Sequence, residues 1–206
     1  MSSNKIIFVK TAVFSLALVP FILLLTDGLN NNLGANPIEA ITDTTGIWTL
    51  RFLAITLAIT PLRLLTGQSV VLRFRRMLGL FTFFYACTHF LTYIWLDQYF
   101  DWPFILEDII EHPYIIVGFT TFLILFALAV TSAKAIARQM GKNWKKLHSL
   151  IYPAALLASL HFLWLVKSDI REPLFYLSLF SILLLLRLPA VKKMTFFSDR
   201  IRPDRI

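Results

Sequence analysis

The sequence predicts an all-α, polytopic membrane protein: a bundle of six transmembrane helices with its N-terminus and C-terminus in the cytoplasm. Of 206 residues, 57% are hydrophobic and 16% are charged, against roughly 25% charged in an ordinary soluble domain. The Lys and Arg residues behind the formal net charge of +8 lie in short segments between long apolar runs. They are therefore topology signals and not a nucleic-acid surface, and residues 1–206 are expected to form a single domain.

A helix needs about 20 residues to cross roughly 30 Å of hydrocarbon. Six stretches are long and apolar enough: Ile6–Leu25, Ile47–Leu65, Met77–Leu96, Tyr114–Thr131, Leu147–Val166 and Pro173–Leu188. The first is longer than a signal-peptide core and is predicted to be an uncleaved span. Because the linkers are short, the spans should pack as antiparallel neighbours in one bundle.

The linkers alternate in charge. Residues 27–45 contain three acids and no Lys or Arg, whereas residues 63–76 contain four arginines and no acid. Residues 97–111 contain five acids, whereas residues 134–146 contain five Lys or Arg. Both chain ends are also basic, the last through Lys and Arg residues within 192–205. By the positive-inside rule the basic segments are cytoplasmic, which requires an even number of crossings.

Ionisable side chains inside a bilayer are costly, so histidines in the spans are functional candidates. His89 and His161 lie about 18 Å and about 21 Å past the inner starts of their helices, so they should share one level. Two neutral imidazoles at one depth on facing helices can take both axial positions of a haem iron. The alternative is that each imidazole only bonds a neighbouring helix; several histidines on two helices favour the cofactor.

His148 lies about 19.5 Å along the same helix from His161, a separation that suits a second redox centre near the inner face. An ideal helix would leave the two side chains about 140° apart, although Pro153 between them can kink it. The corresponding level of the third span holds Arg75 and Arg76 and no second histidine.

Three arginines are further candidates for cofactor binding. Arg75 and Arg76 can bind a propionate or another anion, or they can be inside-positive anchors. Arg51 can likewise bind a propionate of the outer haem, or it can be a snorkelling side chain whose charged end reaches the membrane surface. His112, before Pro113 in an acidic linker, is predicted to be a solvated loop residue.

The sequence has no nucleotide-binding or CxxC motif, so electrons must come from another protein or a membrane carrier.

Several short stretches resemble one family, the haem-binding membrane subunits of bacterial periplasmic methionine sulfoxide reductase systems (MsrQ), within the ferric-reductase-like transmembrane group. The resemblance is carried by residues 59–63 (ITPLR), 75–80 (RRMLGL), 88–93 (THFLTY), 113–114 (PY) and 147–164 (LHSLIYPAALLASLHFLW). Their order and spacing, together with the total length, make the match specific.

The resemblance implies a bundle that binds one or two b-type haems, with FMN as a further cofactor, in the lipid of a bacterial inner membrane. It implies electrons taken from quinone or a flavin reductase and passed to a periplasmic molybdopterin-containing catalytic subunit that repairs oxidised methionine. The histidines that carry over are His89, His148 and His161. Relatives with two haems have a second histidine on the third helix, which this chain lacks, and no FMN residue can be assigned.

The predicted function is therefore a transmembrane electron conduit that does not itself reduce methionine sulfoxide. One rival is a His-lined proton-coupled transporter or metal permease, which usually carries intramembrane carboxylates; the predicted spans hold no Asp or Glu. A second rival is an assembly factor whose histidines only pack. A further hypothesis is that the acidic third linker, including Trp102, docks the periplasmic partner; otherwise it is an ordinary outer loop.

The alternating linkers make a topology prediction. Alkaline phosphatase folds only outside the cytoplasm, so a fusion near Glu107 should be active and one near Lys142 inactive. The reverse pattern would show that the orientation is inverted.

Overall fold

The computed structural model describes residues 3–187, which are helical along most of their length and contain no strand. The α-helices in that range are α1 (Ser3–Leu29), α2 (Pro37–Thr66), α3 (Arg75–Leu91), α4 (Trp102–Glu111), α5 (Pro113–Val130), α6 (Lys134–Met140), α7 (Lys142–His148), α8 (Ile151–Leu165) and α9 (Arg171–Leu185). A 3₁₀ turn, Ser69–Arg73, precedes α3, and a π-helical stretch, Thr92–Asp97, continues it. The all-α prediction is confirmed.

Five segments of the described range are long and apolar enough to cross a membrane. They are Asn4–Leu29, Pro37–Thr66, Arg75–Asp97, Pro113–Val130 and Lys142–Leu165, and each contains most or all of one predicted span. The 15 residues of α9 cover only about 22 Å at 1.5 Å per residue. The predicted sixth span ends at Leu188, which lies outside the described residues, as do the basic residues within 192–205. A sixth crossing therefore stays a prediction.

Helix α2 begins ten residues before the predicted span because a strong cap starts it there. The Asn36 side chain accepts a hydrogen bond from the Glu39 backbone N–H at 3.3 Å and donates one to the Glu39 carboxylate at 2.9 Å. Pro37 occupies the first turn, where its missing N–H costs nothing. At the other end Gly67 adopts a left-handed conformation with φ 70°, which glycine can adopt without strain. Its backbone N–H donates to the Arg63 carbonyl oxygen and ends the helix.

The fifth predicted span is broken into α7 and α8 by a turn at Ser149 and Leu150. Pro153 has no N–H, so it cannot bond the Ser149 carbonyl four residues earlier, and its ring crowds that oxygen. The Ser149 carbonyl instead accepts from the Tyr152 N–H at 3.1 Å. The sequence indicates that Pro153 can kink the helix; in the structure the regular helical hydrogen bonding is interrupted one turn before it, at Ser149 and Leu150.

Helix α4 lies in the linker that the sequence predicts to be an acidic loop. Asp101 caps it by accepting from the Phe104 N–H at 3.2 Å, and Pro103 stands in its first turn. Ile105 is buried where α4 packs against α5. Ten residues are too few to cross a bilayer, so only the cap and proline signal could have predicted this helix.

Helix α2 lies at the centre of the bundle, packed along α3 and in contact with α1, α8 and α9. One buried cluster joins α2, α8 and α9 and includes Leu53, Leu57, Ala155 and Phe180. A second joins α1, α2 and α3 and includes Ala17, Phe52, Phe81 and Tyr85. Helix α5 packs against α3 and α8 on the other side. Helices α2, α3, α5 and α8 are thereby brought together, and these are the helices that build the candidate site.

An arginine side chain compensates for a proline inside α2. Pro61 leaves the Leu57 carbonyl without its usual helical partner, and an Arg187 Nη atom donates to that oxygen. The other Nη donates to the Tyr152 hydroxyl at 3.2 Å. Away from water an unpaired carbonyl is costly, so this contact joins the turn that follows α9 to α2.

Replacing Arg187 by Met should lower the stability of the protein by about 1 to 3 kcal/mol, the usual cost of a buried polar group left unpaired. In a Pro61→Ala background the backbone N–H restored at position 61 bonds the Leu57 carbonyl itself, so the same replacement should cost distinctly less. The measurement is the melting temperature of all four proteins in detergent. Tyr152→Phe, which removes only the exposed contact, is the control, and equal costs in both backgrounds would contradict the explanation.

Candidate functional site

His89, on α3, is held by the backbone of α2. Its Nδ1 lies 3.0 Å from the Thr42 carbonyl oxygen and 3.5 Å from the Thr45 hydroxyl. The ring lies against Gly46, where a β-carbon would come within 3.2 Å of it. The close approach of α2 to α3 at this level therefore depends on a residue without a side chain.

His161, on α8, is held by the backbone of α5 in the same way. Its Nδ1 lies 2.8 Å from the Tyr114 carbonyl oxygen. The ring lies against Gly118, where a β-carbon would come within 2.7 Å of it, closer than such an atom can approach without a shift of the ring or of the helix. Tyr114 also contacts the imidazole through its ring, with centroids 6.1 Å apart.

Both histidines use one arrangement, in which the accepting carbonyl lies four residues before the glycine. A carbonyl has two lone pairs, so it can serve its own helix and the imidazole together. Because a carbonyl only accepts, Nδ1 must carry the ring proton in both histidines, and each Nε2 keeps a free lone pair. A backbone carbonyl that fixes the tautomer in this way is the usual support of a metal-bound imidazole.

The structure brings the two rings together: their centroids lie 6.3 Å apart and their planes are 81° from parallel. This confirms the common level predicted from helix depth. Two imidazoles on opposite sides of one iron, with bonds of about 2 Å, would have centroids roughly 6 Å apart. Spacing and tautomer therefore both fit a haem iron that His89 and His161 would hold together.

His148 is not part of this pair. It ends α7, and its Nε2 lies 3.0 Å from the Thr131 hydroxyl. That hydroxyl donates to the Ala127 carbonyl at 2.6 Å, so it accepts from His148, whose Nε2 then carries the proton. Trp144 stacks on the imidazole with centroids 4.0 Å apart and donates to the Thr131 carbonyl. To bind a metal through Nε2, His148 would have to release Thr131.

The three arginines lie apart from the histidine pair. Arg51 is exposed and its guanidinium lies 4.6 Å from the centre of the Trp48 ring; five residues of helix turn it about 140° away from Gly46. Arg75 is partly buried and close enough to interact electrostatically with Arg187 and His148, whereas Arg76 is exposed. Arg187, which was not predicted from the sequence to be a site residue, joins this basic cluster at the α6–α7 end of the bundle.

Comparison with known proteins gives a consistent result. The family described as ferric reductase like transmembrane component matches residues 45–159. A protein of Xanthomonas euvesicatoria pv. vesicatoria named "Protein-methionine-sulfoxide reductase heme-binding subunit MsrQ" is 52% identical over 89% of this chain and 87% of its own length. A protein of Herminiimonas arsenicoxydans with the same name is 46% identical over 90% and 87% of the two chains.

The chain belongs to the MsrQ family. Together with the five apolar helices, membership of this ferric-reductase-like transmembrane group makes it a multi-pass membrane protein. The matched range includes His89 and His148, and also Gly46 and Gly118; His161 lies two residues beyond it.

In this MsrQ fold the carbonyl and glycine supports of the histidines were not predicted from the sequence. Single glycines inside apolar helices were the available signal, since a helical glycine often marks a close approach, but the sequence does not say what approaches it. His112 is predicted from the sequence to be a solvated loop residue. It does lie between α4 and α5, yet its Nδ1 is 2.9 Å from the Asp108 carboxylate, so the residue is bound as well as partly exposed.

A methyl group at position 118 should displace His161. Gly118→Ala should destabilise the protein by about 1 to 3 kcal/mol through overpacking, even though alanine is the better helix former. Gly79→Ala is the matched control: its β-carbon would lie 3.7 Å from Thr56, an ordinary contact, so the change should be neutral or stabilising by up to about 1 kcal/mol. Melting temperatures of the two variants decide, and equal shifts would contradict the close packing.

Proposed function

We propose that this chain is a haem b-containing electron-transfer subunit that carries electrons across the bacterial inner membrane to a protein-methionine-sulfoxide reductase. The MsrQ relatives are named as heme-binding subunits of such a reductase. The observation that supports the proposal most strongly is the histidine pair, with ring centroids 6.3 Å apart and both Nε2 lone pairs free. When bound there, haem supplies a one-electron carrier.

The residues of the chain hold and orient such a group. Thr42 and Tyr114 fix the two imidazoles through their carbonyl oxygens, so neither ring can present the wrong nitrogen. Gly46 and Gly118 let the rings lie directly on the neighbouring helices. The apolar helices around them keep water away, which favours neutral imidazole ligands over protonated ones.

A path across the membrane needs a second point of entry near the cytoplasmic face. We assign this role to the α6–α7 end, where His148 lies close to Arg75, and Arg75 in turn lies close to Arg187. His148 would bind a second haem there after release of Thr131, with Arg75 and Arg76 as partners for an anionic group such as a propionate or the phosphate of FMN. Arg51 is not needed at either site and is best explained as an interfacial side chain stacked on Trp48.

The orientation follows from the linker charges: α4 faces the periplasm, α6 and α7 face the cytoplasm, and a sixth crossing through α9 returns the C-terminus to the cytoplasm. Electrons then enter from quinone or a cytoplasmic flavin reductase and leave toward a periplasmic molybdopterin-containing catalytic subunit. Reduction of methionine sulfoxide takes place on that partner, and the present chain contributes no catalytic residue to it. The chain is one transmembrane domain.

A His-lined transporter is the alternative from another class. It would leave both Nε2 atoms free for a transported proton or cation and would need no bound chromophore. One absorption spectrum of the purified protein, oxidised and then reduced, separates the two, because only the electron-transfer subunit requires a haem Soret band.

Substitution of the histidines tests the ligand assignment. His89→Ala and His161→Ala should each abolish six-coordinate low-spin haem at the paired site, since one axial ligand is lost. His148→Ala should leave that haem spectrum largely intact, and should lower only a second haem component or the rate of electron entry. The measurement is haem per protein together with the reduced-minus-oxidised spectrum.

His112→Ala is the matched control, because His112 is a histidine of the same bundle that no haem is proposed to use. A histidine that merely bonds a carbonyl contributes on the order of 1 kcal/mol to helix association, and its loss would leave bound haem unaltered. Full low-spin haem in both His89→Ala and His161→Ala would therefore rule out the assignment.

A further inference from the structure

A chain of aromatic rings leads from the histidine pair to the surface at the α4 end. The His161 and Tyr114 centroids are 6.1 Å apart, and those of Tyr114 and His112 are 5.5 Å apart. Both separations fall in the range of direct ring contact. The His112 side chain is 45% exposed, so the chain begins at the paired site and ends at solvent.

His112 is fixed in this position by the residues around it. Pro113 forces the His112 backbone to be extended, φ −118° and ψ 91°. The His112 Nδ1 lies 2.9 Å from one oxygen of Asp108, and the other oxygen accepts from the Tyr93 hydroxyl at 2.7 Å. Tyr93 stands one turn after His89 on the same continuous helix, and His112 directly precedes α5. Asp108 therefore links the end of the helix that carries His89 to the start of α5, whose backbone holds His161.

The segment of the chain around His112 is negatively charged. Residues 77–133 contain no Lys or Arg, and five acids lie between positions 97 and 111. Glu107 and Glu111, which flank Asp108 on α4, are exposed, and among the described residues neither has an ion-pair partner. An acceptor that approaches His112 therefore meets an acidic face, and a basic patch on that acceptor would be attracted to it.

We propose that His112 is the point at which electrons leave this protein, through Tyr114, to a redox partner that docks on α4 with a basic surface. The proposal rests on the haem site proposed above. A haem held by His89 and His161 would lose one electron, and the acceptor would gain it. No bond is made or broken, and Tyr114 and His112 shorten the gap without changing their own oxidation state.

The test uses the full-length, haem-loaded protein in lipid nanodiscs, reduced and then mixed with hexaammineruthenium(III), a cationic one-electron acceptor. Oxidation is followed by loss of the reduced haem band in a stopped-flow instrument. His112→Ala and Tyr114→Leu, each of which removes a ring and keeps the backbone carbonyl, should lose the fast phase of oxidation. Tyr114→Phe, which keeps the ring, should retain it, and so should Phe104→Leu, an exposed aromatic side chain of α4 outside the chain of rings.

Charge is tested separately. Glu107→Gln combined with Glu111→Gln should lower the bimolecular rate constant with the cationic acceptor by about tenfold at low ionic strength, and much less at high salt. With the anion hexacyanoferrate(III) the same variant should react faster. Reduction potentials of all variants are measured, so that a changed driving force is not mistaken for a changed route.

The outcomes separate the two proposals. Wild-type protein that purifies without haem contradicts the haem site and the exit route together. Haem-loaded His112→Ala and Tyr114→Leu proteins with unchanged spectra, unchanged potentials and wild-type oxidation rates contradict the exit route alone. A fast phase lost equally in Phe104→Leu would also contradict it, since the effect would then be a general one of the α4 surface.

Discussion

The hydrogen bonds from His89 and His161 to backbone carbonyl oxygens are the interactions on which the geometry of the site depends. In a bilayer a helix has no water to bond, and a neutral imidazole has few partners other than the main chain of a neighbouring helix. Main-chain oxygens lie near the helix axis and are reached only where the second helix comes close. The position of α2 against α3 is therefore set by the contact of the His89 ring with Gly46. The position of α5 against α8 is set in the same way by the contact of the His161 ring with Gly118.

The same dependence on carbonyl oxygens recurs elsewhere in the bundle. Arg187 reaches the Leu57 carbonyl that Pro61 leaves free, and the Tyr85 hydroxyl donates to the Ala17 carbonyl at 2.8 Å. Each of these contacts joins two helices that are distant in sequence. Apolar packing alone has little directional preference in lipid, so a few polar contacts to the main chain specify which helix faces fit together.

Helix depth was sufficient to pair His89 with His161 from the sequence, because distance along a helix is a simple multiple of residue number. The direction of each side chain could not be obtained in that way. The break before Pro153 separates His148 from His161 by a turn whose geometry depends on the Ser149 carbonyl.

Helix α4 was missed for a different reason: it is too short for a membrane span, and its cap is a local signal within a strongly acidic segment. The partners of His112 join residues of three elements, which no reading of one linker can show.

Because the planes of His89 and His161 lie 81° apart, an iron held between the two rings, as proposed above, would not receive π-electron density from both of them in the same d orbital. On a ferric centre, perpendicular axial rings interact with two different d orbitals of nearly equal energy and leave them close to degenerate. Parallel rings would split those orbitals. In the proposed site the electron vacancy of the oxidised state would be shared between two orientations at right angles and would appear in the magnetic anisotropy of the iron. The carbonyl oxygens of Thr42 and Tyr114, which hold the two rings, would thereby influence this property.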